Sequence, residues 1–420
     1  MRLFKDVSAY PLLVAALLFA KQTAALAKTN YSTWMATSII SRGQGVLTGQ
    51  GDTSELLQAG FTQKAFRRLL EQYPDDASAP LISAYITTSV DSVAGALSNA
   101  SRNTGYSLDR LSSGNNLIAL YQQTGNETYR TAFEALRQSI DLQRRNAEGG
   151  LFYYVYPYWS YLDGMFSLAP FYALYTAAFD AANATAAVDD LVLQLDLLWQ
   201  HCRANSTGLL AHGYDASRTA VWADPVTGAS PHVWGRSLGW YAMALVDVLE
   251  LLPATAATIR QQQHVLARFQ ALAAAVAAAA DAASGAWWQV LDQPGRAGNY
   301  IESSGSAMLA YSLLKGVRLG YLAEGSEGAT RRSALHESAP NNSWTHVATR
   351  AYEYVVDHFV VDNGNGTVGY NGTVAVCSLN STASYEYYVG QPILYDSVLG
   401  SNAFILASLE YESMVAGCGE

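Results

Sequence analysis

What constrains this chain most is a repeat of architecture without a repeat of sequence. Helical spacing or helix-rich composition marks 54–73, 81–97, 107–124, 127–143, 165–182, 188–203, 237–252, 258–283, 304–322, 345–359 and 397–411. Within 237–252, for example, Tyr241, Leu245, Val248, Leu249 and Leu252 recur at i, i+4, i+7, i+8 and i+11, and Pro253 closes the run. About eleven or twelve helices of roughly 15–25 residues, joined by uneven loops, predict an all-α protein of paired helices. Strand signals are short and local, at 149–156, 287–290 and 366–376. They read as small β-hairpins on one rim. No Pro/Ser-rich linker divides the chain, so 28–420 is expected to be a single domain.

Residues 1–27 read as a secretory signal. Arg2 and Lys5 precede the apolar run Pro11–Ala20, and Ala25-Leu26-Ala27 is a small-x-small cleavage site. The apolar run is about half of the roughly 20 residues a bilayer needs, so no membrane span is expected. Nine N-x-S/T sequons, at Asn30, Asn99, Asn126, Asn183, Asn205, Asn341, Asn365, Asn371 and Asn380, agree with an extracellular glycoprotein.

Half of the residues are hydrophobic, ample for a large core, and only 14% are charged. The net charge of −10 argues against nucleic acid or an anionic membrane as partner. An acidic ligand would have to be held by local cations. The three cysteines allow at most one disulfide, with Cys377–Cys418 a pairing that would staple the C-terminal tail.

Two stretches concentrate the chemistry. His212–Trp240 is a Gly/Pro-punctuated loop with three tryptophans, two arginines and two histidines, feeding directly into a helix. Trp234 and Trp240 offer flat faces, and Arg236 between them carries a planar fork suited to a carboxylate. Together they suggest an acidic sugar. The plainer reading is a loop pinned by aromatic packing, with Arg236 paired to a local acid such as Asp224. In the second stretch, Tyr156–Gly164, one carboxylate, Asp163, sits among four aromatics at a helix entrance. Desolvation there would raise its pKa towards that of a general acid, whereas the plainer reading is a helix N-cap. Asp109, preceded by the N-cap candidate Ser107, has the same two readings. Searches for a phosphate-binding loop, a zinc-binding H-E-x-x-H and a G-x-S-x-G nucleophile elbow fail. The segment 362–366 is a hairpin turn, not a calcium loop. Cofactor-free hydrolysis, without metal, is what remains.

The segments SLDRL, LYQQTG, YLDGMFSLAPF, HGYD, WADP-x-TG-x-S-x-x-x-WGR-x-x-GWY, WWQVLDQP, GNYIESSGSAM and YEYYVGQPI occur in order from about Asp109 to Tyr388. This set resembles glycoside hydrolase family 105, the unsaturated rhamnogalacturonyl and glucuronyl hydrolases. The resemblance implies an (α/α)6 barrel and a substrate ending in a Δ4,5-unsaturated uronic acid, as left by polysaccharide lyases. It assigns Asp163 as catalytic acid and Asp109 as the acid facing it, raising its pKa. It places His212, Trp234, Arg236 and Trp240 around the uronate. The implied chemistry is hydration of a vinyl ether, not a two-carboxylate displacement. There is one departure. Many bacterial members are basic after the Gly-Gly preceding the catalytic loop, whereas Gly149-Gly150 is followed here by Leu151-Phe152-Tyr153-Tyr154. That bears on the aglycone, for which a rhamnose-linked pectin fragment is the first expectation. Two other readings share these residues: a non-catalytic carbohydrate-binding barrel and a conventional inverting glycosidase.

Overall fold

The computed structural model describes residues 30–324 and 343–417. The candidate signal, the Asn341 sequon and Cys418 lie outside the described residues. Within the described residues, twelve helices of eleven residues or more follow one another: α1 (Tyr31–Ser41), α2 (Glu55–Gln72), α3 (Ala79–Ala94), α4 (Gly114–Thr124), α5 (Glu127–Leu142), α6 (Gly164–Phe179), α7 (Ala184–Cys202), α8 (Gly235–Leu251), α9 (Ile259–Ala278), α10 (Ser303–Arg318), α11 (Trp344–Phe359) and α12 (Val398–Gly417). A 3-10 turn, Leu108–Ser113, leads into α4.

Even-numbered helices form a closed inner ring. α2 packs on the 3-10 turn, the turn on α6, then α6 on α8, α8 on α10, α10 on α12, and α12 back on α2. α3, α5, α7, α9 and α11 each lie outside the helix they follow, and α1 lies outside α12. The sequence dictates which helix goes where. α8 is buried on every side from Gly235 to Leu249, as a helix apolar all round must be. α5 buries one stripe that includes Tyr129, Phe133, Leu136 and Ile140 and leaves its charged face to solvent. The result is an (α/α)6 barrel.

The N-terminal ends of the inner helices meet at one end of the barrel. At the other end, Lys315 and Arg318 sit in the last turn of α10, where the macrodipole favours them. There buried Asp247 accepts from Lys315 Nζ at 2.7 Å, from Tyr311 Oη at 2.8 Å and from Lys64.

Several expectations need correction at the level of elements. α1 carried no recognised periodicity. The helix expected over 107–124 begins as the 3-10 turn, and Ser107 sits at its N-cap without a side-chain capping bond. The alanine-rich helix stops at Ala278, not Ala283, because Asp281 accepts from the backbone N–H of Ala283 and Ser284 and turns the chain. The expected strand 149–156 makes only an isolated bridge, Leu151 with Arg145. Its backbone folds back so that Tyr153 N donates to Trp159 O, and the strand is instead β1 (Ser160–Tyr161), paired with β2 (Gly213–Tyr214). Segment 287–290 likewise makes isolated bridges. Segment 366–376 splits into β4 (Val368–Tyr370), which closes a hairpin with β3 (Val360–Asp362), and β5 (Thr373–Val374), which pairs with β6 (Ile393–Leu394).

Candidate active site

The inner-helix N-termini enclose a pocket of about 450 Å³ including its mouth. Ser54 comes from the entrance to α2, Asp109 from the 3-10 turn, Asp163 from the entrance to α6, Arg236 from α8 and Leu399 from α12. Tyr153, Tyr154, Tyr161, Trp234 and Trp240 line it, as do Val376, Cys377 and Ser378 from the loop after β5. Helix N-termini carry partial positive charge, so their convergence favours an anionic group in a chain that is acidic overall.

Asp163 occupies the N-cap position of α6, but its side chain makes no capping bond. Oδ2 instead accepts from Ser237 Oγ and lies 3.2 Å from His212 Nε2, out of line for a hydrogen bond. The Asp163 side chain keeps 11% of its surface open. A Cβ at Gly164 would come within 2.9 Å of Leu108 Cδ1 and 3.0 Å of the Tyr153 ring, so this turn lies close against the 3-10 turn that carries Asp109.

Asp109 is more deeply buried. Its Oδ2 accepts from Tyr153 Oη, and its Oδ1 is sealed from solvent with no partner among the described residues. Burial pushes its carboxyl up to about 7; the Tyr153 bond opposes this and the charge of Asp163 adds to it. A raised carboxyl of this kind therefore lies at Asp109, beside the pocket. Neighbouring Arg110 does not relieve it by an ion pair. Its guanidinium is spent on Ser139, Gln143 and the carbonyls of Tyr106 and Ser107.

His212 is fully buried, with Nδ1 at 2.8 Å from Tyr388 Oη. Its backbone is fixed by the β1–β2 pair, where a Cβ on Gly213 would strike the Ser160 carbonyl at 2.3 Å. Trp234 lies under His212, ring centroids 4.8 Å apart, and its Nε1 donates to Gln289. Trp240 wedges between Phe61 and Phe166. Both tryptophans are 1% exposed, so each offers the cavity an edge and not an open stacking face.

Arg236 is also 1% exposed and does not pair with Asp224, which is exposed and closes its own turn by accepting from Val226 N and Thr227 N. The guanidinium stacks over Trp234 at 4.7 Å and donates to Val374 O at 2.5 Å and Ala375 O at 2.8 Å. Arg236 therefore holds the loop that carries Cys377 and Ser378, besides lining the pocket. Cys377 and Cys202 are buried and not bridged to one another. Among the described residues no cluster of His, Cys, Asp and Glu has the geometry of a metal site.

Reading the sequence missed four participants: Ser237, Tyr153, Tyr161 and Tyr388. Ser237 was in plain sight inside WGRSLGW, one residue after Arg236. Tyr153 and Tyr161 lie in aromatic runs marked in the sequence, but the contacts that give the tyrosines their places reach partners 44 or more residues away.

A ring of helices with two buried, neighbouring carboxyls in a small pocket defines a class, and comparison with known proteins agrees with it. Residues 57–415 match the family model described as Glycosyl Hydrolase Family 88, so the protein is a glycoside hydrolase on an (α/α)6 barrel. A structure of a C. acetobutylicum glycoside hydrolase from family 105 is 32% identical, covers 92% of this chain and 100% of its own, and superposes with a TM-score of 0.76. The chain belongs to family 105. The 24.9 kDa protein in the picA locus of Rhizobium radiobacter is 37% identical over 207 residues, 49% of this chain and 83% of that protein. An unsaturated glucuronyl hydrolase from Bacillus sp. GL1, 14% identical over 91% of this chain and 95% of its own with a TM-score of 0.58, shares the fold.

Proposed function

We propose that this enzyme removes the Δ4,5-unsaturated uronic acid from the non-reducing end of lyase-generated oligosaccharides by hydrating its vinyl ether. Unsaturated rhamnogalacturonan disaccharides are the first substrates to test. The observation that carries the reading is the carboxyl pair at the N-termini of neighbouring helices, in a closed pocket that favours an anionic sugar. Family 105 membership supports the reaction class.

Asp163 is the group that meets substrate, because its carboxyl keeps an open surface while Asp109 is sealed behind Tyr153. A proton passes from Asp163 to C4, positive charge builds at C5 and the ring oxygen, and water adds at C5 after giving its proton to Asp163. The hemiketal so formed opens and releases the neighbouring sugar. The charge of Asp163 acts on Asp109, and the first step needs one proton held by the pair. Incubation with lyase-digested pectin and with intact polymer tests this. Loss of the double bond's ultraviolet absorbance is expected with the first. New reducing ends from intact polymer would indicate a conventional glycosidase, and no change in either a binding protein.

Arg236→Lys is expected to lower kcat/KM by roughly 10- to 100-fold, the scale of charge-assisted hydrogen bonds at about 1.5–3 kcal/mol. A lysine keeps the charge but cannot span two carbonyls and a substrate carboxylate. Steady-state kinetics beside a melting curve check it. Unchanged kcat/KM would mean that the carboxylate is held elsewhere and that the loop does without its clamp.

Export is proposed on the 1–27 segment. Asn99, Asn126, Asn183, Asn205, Asn365, Asn371 and Asn380 are all exposed, as glycan acceptors must be. Protein secreted by a eukaryotic host should lose mass on treatment with an N-glycan-cleaving amidase. No mass loss, together with an intact N-terminus, would refute export by this route. No described helix is long and apolar enough to cross a membrane.

A further inference from the structure

Asp109 faces an unusual set of neighbours. From the segment between α5 and β1 come Tyr153, whose Oη donates to Oδ2, and Tyr154; from the entrance to α6 comes Asp163. Arg110, on its own turn, is directed at Ser139 and Gln143. From the entrance to α2, Thr53, Ser54 and Leu57 line the pocket and bring no charge. Tyr153 itself is fixed twice. Its ring stacks on Tyr161 at 4.5 Å and 13°, and its carbonyl accepts from Leu108 N at 3.0 Å, immediately before Asp109. The same residue therefore sets both the backbone and the side chain of the second acid.

We infer that Tyr153 is a positioning residue whose hydroxyl holds Asp109 in place and biases the single proton of the carboxyl pair towards Asp163. The inference rests on the reading of Asp109 and Asp163 as the catalytic pair. A donor hydrogen bond stabilises the ionised form of the acceptor carboxylate, so it disfavours the proton on Asp109. With the bond present, more of the singly protonated pair carries its proton on Asp163, where it can reach C4. Burial of Asp109 works the other way. Tyr153 is the counterweight that weakens the hold of the sealed carboxyl on the proton.

Tyr153→Phe removes the hydroxyl and keeps the stacked ring, so the fold is expected to persist. The proton then shifts onto Asp109. Two readouts must move together. The plateau kcat on an unsaturated disaccharide falls, and the alkaline limb of the pH profile rises, with each tenfold fall matching one pH unit. A shift of about one unit is expected from one charge-assisted hydrogen bond. KM stays nearly constant, since Tyr153 acts through Asp109. A merely structural role would lower kcat or stability without moving the limb. Substrate-free denaturation across pH gives a second arm, in which the pH range where stability falls extends upward in the variant. An unmoved or acid-shifted limb, or an unchanged stability range, overturns the inference. If wild-type enzyme leaves the unsaturated bond intact, the substrate reading fails, while the denaturation arm still decides for or against Tyr153.

Discussion

Asp163→Asn is expected to reduce turnover of an unsaturated disaccharide by about 10²–10⁴-fold or more while leaving the fold and substrate affinity nearly intact. General acid–base catalysis contributes on that scale. The upper end applies because one carboxyl is proposed both to deliver the proton to C4 and to take one from the attacking water. The fold should persist for a reason visible in the structure. The introduced asparagine can still accept the hydrogen bond from Ser237 Oγ, and the side chain does not cap α6, so no helix-capping bond is lost. The measurement is single-turnover absorbance loss beside a binding isotherm for the same disaccharide. Near wild-type turnover by a folded variant would remove Asp163 from the chemistry.

Much of this was legible in the sequence, and the reasons differ by level. Inner helices such as α8 and α10 bury nearly every residue, so composition and periodicity announced them. Their number alone suggested paired helices, and the resemblance to family 105 supplied the ring. Asp163 and Asp109 were visible as lone acids at helix entrances, but nothing local could decide between capping and catalysis. The structure shows that the Asp163 side chain does not cap and instead accepts from Ser237, across 74 residues of chain. Arg236 shows the converse. Its planar fork was read as a clamp for a carboxylate, yet it donates to Val374 and Ala375, 138 and 139 residues away, and backbone carbonyls leave no trace in side-chain identity. The aromatic run after Gly149-Gly150 illustrates a third case. Tyr-rich, alternating sequence imitates a strand, while the side chains are used to wall a pocket and to hold Asp109.

Asp109→Asn should separate stability from activity. A carboxyl that is raised from 3.8 to about 7 on folding keeps its proton in the native state after the unfolded chain has lost it. Between those values the unfolded state binds fewer protons, so stability falls as pH rises. The contribution is fully present below about pH 4 and is lost as pH passes through 7. For one proton the slope is at most about 1.4 kcal/mol per pH unit, giving a total on the order of a few kcal/mol. Asparagine cannot ionise, so this part of the pH dependence should vanish in the variant. Its buried amide costs something at every pH if it lacks an acceptor, roughly 1–3 kcal/mol, so the slope is the test and not the absolute stability. Activity should move differently. With the like charge gone, Asp163 loses its proton more readily, and the alkaline limb shifts acid-ward, opposite to the shift expected for Tyr153→Phe. The loss of turnover should be milder than for Asp163→Asn, because the group that meets C4 remains. Denaturant midpoints from about pH 4 to 8, set beside pH–rate profiles, check both halves. A variant that retains the wild-type slope would show that Asp109 is not the group whose burial opposes folding at neutral pH.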